Sequence, residues 1–469
     1  MNIKKLFMPK IYPVCFFLFL LAAFKVNSQV LTLKDAVQTA LNNYAAIKAK
    51  ANYLKASQAS AKQTSLEYLP NVNVGLQNVY GTANGQLGPL YALRGLSAAS
   101  SGPTFLTQNW NAAFGSLYVA NINWDFFNFG SVHEKNKVAQ AQVQQDLNDL
   151  EQEKFQQEVR VASAYLNLLA AQRLKLSQQK NLERANALRS VVLVRTKNGL
   201  NAGVDSSLTN AEVSNAAISL NNALDYEQEQ ANQLAQLMGI SYKNFVLDTL
   251  FLNRIPNSLY DSLELKEEHP VLKYFQSRVE VSTEQEKYYD RTKLPVFSLF
   301  GVVQSRGSGF GDTYSTLYPD DYTHSYWTGI KPSSSNYLVG VGVTWNLTGL
   351  SRVRQQVIAQ ESTSKGLQDE YELVNQQIKA QLALADQKMK IAMANFREAP
   401  VQMKAASDTY LQKSVLYKNG LTDIVDVTQA LYALNRAETD KEISNNSIWQ
   451  ALLLKAAASG DFVLFINEF

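Results

Sequence analysis

The chain has 469 residues, and its 44 Lys and Arg against 41 Asp and Glu leave a formal net charge of +3. Both signs are dispersed, with no basic stripe or Lys/Arg-rich tail, which excludes nucleic acid as a partner. Charged residues make up only 18%, below the quarter or so usual in soluble proteins, and the length suffices for a large buried core.

The chain opens as a secretory signal over residues 1–28. Lys4, Lys5 and Lys10 precede an apolar stretch from Ile11 to Phe24, and Val26 and Ser28 lie three and one residues before an expected cut ahead of Gln29. The other reading is a retained N-terminal anchor, although the stretch is short for a membrane-spanning helix. Cys15, the only cysteine, lies inside it. Cleavage would leave no disulfide, thiol nucleophile or thiolate metal site. No later segment offers 18 apolar residues without charge. A membrane crossing would therefore be made by strands.

From Leu31 to Glu67, Leu33, Val37, Ala40, Leu41, Tyr44 and Ile47 recur at helical spacing, and Pro70 ends the run. Strict polar/apolar alternation predicts strands near 71–80 and 117–127, separated by a low-charge loop over 81–116. A proline- and glycine-free run of some 65 residues, Val132 to Lys197, predicts a helix about 100 Å long. A turn at Asn198–Asp205 leads to a return helix over Ser206–Leu237. After a linker over 240–265 the order repeats, with strands near 296–305 and 337–347, a loop over 306–336, a long helix over Val353–Lys418 and a return helix over Val427–Ala458. Phe300 and Val302 disturb the alternation of the third strand, and Gly366 and Pro400 predict an interruption and a kink in the second long helix.

The repetition is an internal duplication of residues 29–239 in 266–460, with a tail over 461–469. Trp124 recurs as Trp345, Lys197-Asn198-Gly199-Leu200 as Lys418-Asn419-Gly420-Leu421, Val204-Asp205 as Val425-Asp426 and Gly239 as Gly460, all 221 residues apart.

Ten-residue amphipathic strands fit a membrane barrel with lipid outside and water inside, although a half-exposed sheet in a soluble domain alternates likewise. The long flanking helices favour the barrel, as do the aromatic residues Tyr80, Tyr118, Trp124, Phe126, Phe127, Phe129, Tyr337 and Trp345 near the strand ends. Trp124 and Trp345 are expected in an interface girdle. Four strands cannot close a barrel, so the chain must share one with copies of itself: two copies give eight strands and three give twelve. A passage wide enough for solutes favours three or more. Alanines spread around the long helices suit close packing on two sides, without the Leu/Ile seam of a two-stranded coiled coil.

The opening Leu31-Thr32-Leu33-Lys34-Asp35-Ala36-Val37 with Ala40-Leu41-Asn42-Asn43 resembles the first helix of TolC-like outer-membrane efflux proteins. Tyr417-Lys418-Asn419-Gly420 followed by Ile424-Val425-Asp426-Val427 resembles that family's periplasmic tip, as does the copy ending in Val204-Asp205. The resemblance covers nearly the whole chain after the signal. It implies an α+β membrane protein in which three chains complete a 12-stranded β-barrel in outer-membrane lipid, above a long periplasmic α-helical barrel. It also implies a periplasmic adaptor and an inner-membrane pump as partners, in efflux or type I secretion. Some members carry a second acidic residue three positions after the tip aspartate, where this chain has Gln429.

Threefold symmetry would make Asp426 and Asp423 a ring of carboxylates at a pore constriction, whereas the plainer reading has Asp205 and Asp426 capping the return helices. Gly199 and Gly420 are expected to form the tip turns. No catalytic set, cofactor motif or metal-ligand spacing emerges: His133 reads as an exposed helix-start residue, His269 as a helix-start residue before Pro270 and His324 as a surface-loop residue. With no phosphate-cradling loop, energy for transport has to come from a partner. The expectation is a non-enzymatic, passive exit duct. The alternative is a periplasmic or surface coiled-coil structural protein without a pore.

Overall fold

The computed structural model describes residues 30–85, 102–249, 255–256 and 269–469. The expected signal 1–28 lies outside the described residues, as do 250–254 and 257–265 of the expected linker. Thr32 starts the first helix, α1 (Leu33–Asn43), its hydroxyl accepting from the Asp35 N–H. The single helix expected over 31–67 is broken at Tyr44, where ψ is 124°, and resumes as α2 (Ala45–Leu66). The break falls where the buried stripe ends: α1 buries Leu33, Ala36, Val37 and Ala40, whereas α2 buries only Ile47.

Then follow β1 (Asn71–Thr82), β2 (Ala112–Phe127), α3 (Ser131–Lys197), α4 (Gly203–Met238), α5 (Pro270–Arg291), β3 (Val296–Ser308), α6 (Tyr326–Ile330), β4 (Ser334–Thr344), α7 (Gly349–Lys418), α8 (Ile424–Ser459) and α9 (Phe462–Ile466). The second strand starts earlier than the pattern predicts. The fourth ends sooner, leaving Trp345 and Leu347 beyond it, because Asn346 Oδ1 accepts the Gly349 N–H at 3.0 Å and turns the chain into α7. The interruption expected at Gly366 and Pro400 is absent: α7 runs through both. Pro400 is exposed while Ala399 is buried. On that side water can serve the carbonyl whose partner proline removes.

The described chain divides into two compact units. In the first, formed by residues up to 52 with 147–275 and 370–469, Leu33, Tyr165, Leu166, Leu169, Leu234, Trp449 and Phe465 share one buried core. Each such side chain contributes about 1.5–3 kcal/mol by leaving water. The second unit, 53–146 with 276–369, holds one antiparallel sheet in the order β1-β2-β3-β4. Among the described residues neither edge strand pairs with a further strand.

Candidate pore tip and membrane face

In the first unit, the two long helices end in the same way. Gly199 and Gly420 take left-handed φ values of 70° and 74°. The Leu200 N–H reaches back to Arg195 O, and the Leu421 N–H to Leu416 O, each at 2.9 Å. An N–H five positions further on thus serves each helix-end carbonyl, a reversal that glycine makes without a Cβ clash. Leu188 and Val192 of α3 pack with Tyr417, Ile424 and Val427 and hold the turns together.

Polar contacts join the turns above this apolar layer. Arg195 donates to Asn201 Oδ1 at 2.8 Å and to Lys418 O at 2.9 Å, and its guanidinium lies 5.2 Å from the centre of the Tyr417 ring. Asn201 Nδ2 donates to Asp205 Oδ2 at 2.7 Å and to the Tyr417 hydroxyl oxygen at 2.8 Å. Burial, and then the charge of Asp205, push the Tyr417 hydroxyl pKa up.

The capping expectation is corrected. Asp423 is the N-cap of α8, its Oδ1 accepting the Asp426 N–H at 2.9 Å. Asp426 lies one turn inside, where its Oδ2 accepts from Lys413 Nζ and Thr422 Oγ1, both at 2.6 Å. The hydrogen bond from Lys413, followed by that from Thr422, holds this carboxyl below the usual carboxylate range. Asp205 occupies the equivalent place in α4, whose N-cap, Ala202, has no side chain to accept with. The structure brings Asp423 and Asp426 together and links Asp205 to the second turn through Asn201 and Tyr417. Arg195, Asn201 and Lys413 were missed by sequence reasoning. Asn201 and Asp205 are four apart, a readable pair, but Lys413 precedes Asp426 by 13 residues with no local signal. Leu200, Val204, Leu421 and Val425 stand exposed around the turns.

In the second unit, strand register sorts the side chains. One face of the sheet carries Val72, Val74 and Leu76 of β1, Ile122 of β2, Val303 of β3, and Tyr337, Val339, Val341 and Val343 of β4, all exposed. The other is mainly polar, with Asn71, Asn73, Gln77, Asn121, Asn123, Ser298, Gln304, Arg306 and Asn336, and also carries Val79, Val119, Val302 and Leu338. Phe300 breaks the alternation because it lies on this second face over Gly340, whose added Cβ would sit 2.6 Å from its ring. Trp124 and Trp345 donate their indole N–H to Tyr68 O at 2.9 Å and Lys293 O at 3.0 Å. These carbonyls lie two residues before Pro70 and Pro295. Each tryptophan thereby serves a carbonyl at the break between helix and strand.

His133 is exposed at the start of α3, and His324 accompanies the Tyr80 hydroxyl in a loop at 3.1 Å. His269 is buried, accepting the Val271 N–H at Nδ1 and donating from Nε2 to Ala457 O at 3.3 Å, and burial lowers its pKa. No group of three or more potential metal ligands occurs among the described residues. None of their helices is long and apolar enough to cross a membrane.

Residues 36–240 match the model of a family described as outer membrane efflux protein. No curated protein matches the chain by sequence. Among solved structures, the chain resembles CusC with a TM-score of 0.74 at 12% identity, over 92% of each chain. It resembles the CmeC outer membrane channel of Campylobacter jejuni with a TM-score of 0.72 at 14% identity, over 91% of this chain and 85% of that one. For VceC of Vibrio cholerae the TM-score is 0.71 at 15% identity, over 92% and 96%. At these identities the likeness is one of fold.

Proposed function

We propose that the chain is a TolC-like outer-membrane efflux protein with its helical part in the periplasm, serving as the passive exit duct of a tripartite efflux or type I secretion system; the family match over residues 36–240 and the channel fold support this. The observation that carries the reading is the sheet: four strands, one exposed apolar face, one mainly polar face and two edges without a strand partner among the described residues. In lipid an open edge leaves backbone groups unsatisfied, so the sheet must close with copies of itself. Eight strands enclose little more than their own side chains, whereas twelve, from three chains, leave a passage. The apolar face of β4 from Tyr337 to Val343 extends about 20 Å along the strand, close to the apolar band of membrane barrels.

At the tip turns, the exposed Leu200, Val204, Leu421 and Val425 suit docking by a periplasmic adaptor, and an inner-membrane pump supplies the energy. Three copies of Asp423 and Asp426 form a carboxylate ring that favours cations, with Lys413 neutralising part of it. The domain reading is part of the proposal: residues 1–28 are removed after Ser28, which the mass of the mature chain checks.

Two measurements test the duct. Mass in detergent is expected to give three chains, and a stable detergent-soluble monomer, or extraction without detergent, would leave the poreless coiled-coil reading. In planar bilayers, Asp423→Asn with Asp426→Asn is expected to lower cation preference and block by multivalent cations. If both are unchanged in an assembled trimer, the carboxylate ring is wrong and the duct stands.

A further inference from the structure

The segment that joins β3 to β4 does not simply bridge two strand ends. It contains α6, which packs against β2 and β3. The Ser116 and Tyr118 hydroxyls donate to Ile330 O at 3.2 and 2.8 Å. Asn78 Nδ2 donates to the Tyr326 hydroxyl at 3.3 Å, and the Phe114 and Tyr326 rings meet edge to face at 5.2 Å. Two glycines allow the approach: a Cβ on Gly307 would lie 2.6 Å from Gly329 O, and one on Gly329 would lie 2.4 Å from Phe114 Cβ.

Register decides which face is covered. Asn78 is in step with Val72, Val74 and Leu76 along β1, and Ser116 and Tyr118 with Ile122 along β2. Gly307 is in step with Val303 along β3. The helix therefore rests on the apolar face, at the level where valine and leucine give way to Asn78, Ser116 and Ser335. That level is at the hairpin end of the strands, away from the ends that α2 and α5 lead into. Trp327 stands 75% exposed on α6 beside the exposed Tyr326, Tyr337 stands 82% exposed on the same face of β4, and Lys331 follows, also exposed.

We infer that α6 is an interfacial anchor, seated on the outside of the barrel with Trp327 and Tyr326 in the headgroup layer of the outer leaflet. The inference rests on the barrel reading above. The helix sits at the margin of the apolar band, where Asn78, Ser116 and Ser335 begin, and tryptophan, tyrosine and lysine are the side chains that sit between hydrocarbon and water. The loop of the second repeat thus grips the membrane from outside instead of folding into the passage.

The test uses the full chain in a Cys15→Ser background, which removes its one cysteine. Trp327→Cys, Val74→Cys and Asn73→Cys each carry an environment-sensitive fluorophore in trimers reconstituted into phosphatidylcholine vesicles. Position 327 is expected to be quenched at least twofold more by a nitroxide on the lipid headgroup than by one at mid-chain, and only weakly by aqueous iodide. Position 74 is expected to respond most to the mid-chain nitroxide and position 73 to iodide alone. Iodide quenching at 327 without lipid quenching, while 74 remains lipid-quenched, overturns the anchor and leaves the barrel intact. Loss of lipid quenching at 74 as well overturns the barrel reading, and the anchor with it. Unlabelled protein gives a second readout: Trp327→Phe is expected to remove a headgroup-quenchable part of the tryptophan emission, and an unchanged quenching profile overturns the anchor.

Discussion

The two tip turns share a backbone frame and differ in almost everything attached to it. Gly199 and Gly420 take nearly the same φ, and Leu200 and Leu421 close the same reversal. Yet the second turn is rooted by Ile424 and Val427, both buried, where 221 positions earlier the first has Gly203 and Ser206. Its return helix is capped by Asp423, where the first has Ala202. The first turn is held instead by the polar contacts of Arg195 and Asn201, two of which reach the second. Duplication kept the geometry of the reversal, and the anchoring diverged into an apolar root on one side and a polar strap on the other.

Four measurements would break or sharpen this contrast, all read by hydrogen exchange of tip amides in the assembled protein. Ile424→Ala, at a site only 4% exposed, is expected to loosen the second turn by about 2–4 kcal/mol. Gly203→Ala, with open space where the Cβ would go, is expected to leave the first turn unchanged or firmer by less than about 1 kcal/mol. Equal effects at the two sites would end the idea of an apolar root peculiar to the second. Gly199→Ala and Gly420→Ala come next, at about 1–2 kcal/mol each and nearly alike, because both residues are left-handed. Asp423→Ala is expected to cost about 1 kcal/mol, and Ala202→Asp to add a comparable amount to the first turn. If Ala202→Asp adds nothing, the missing cap is not what separates the two.

The smallest effect is one of pH. The Asp426 carboxyl is held below its usual range by Lys413 and then Thr422. Its contribution is therefore present above the ordinary aspartate value, about 3.9. It is lost as pH falls through the still lower folded value. Protection of the second turn is expected to fall in that acid window, and Lys413→Met is expected to shrink the change.

Much of this was readable before any coordinates. Alternation located all four strands, because successive side chains of a strand point to opposite faces and the two faces of this sheet differ in polarity. Boundaries were less readable. That Asn346 ends the fourth strand depends on a side-chain bond to Gly349, and that α7 survives Pro400 depends on which side faces water. At the tip, glycine and aspartate were visible through their repetition, but the partners that set the aspartates' roles were not. Lys413 meets Asp426, and Tyr417 meets Asn201, only after helices far apart in sequence have packed. Trp124 and Trp345 were visible through their repetition, while their bonds to Tyr68 O and Lys293 O had no sequence signal.

The unpaired strands at the two sides of the sheet have a consequence for the life of the chain before it reaches its destination. Proteins usually guard an exposed edge with lysine, proline or another inward charge. Neither β1 nor β4 contains a single charged residue or proline. A lone copy therefore carries two sticky margins, each open to any extended segment it meets. In the proposed duct, productive encounters are with other copies of the same chain, whereas aggregation accepts any neighbour, so the two outcomes compete as a race. Overproduction is expected to crowd that race with half-assembled copies.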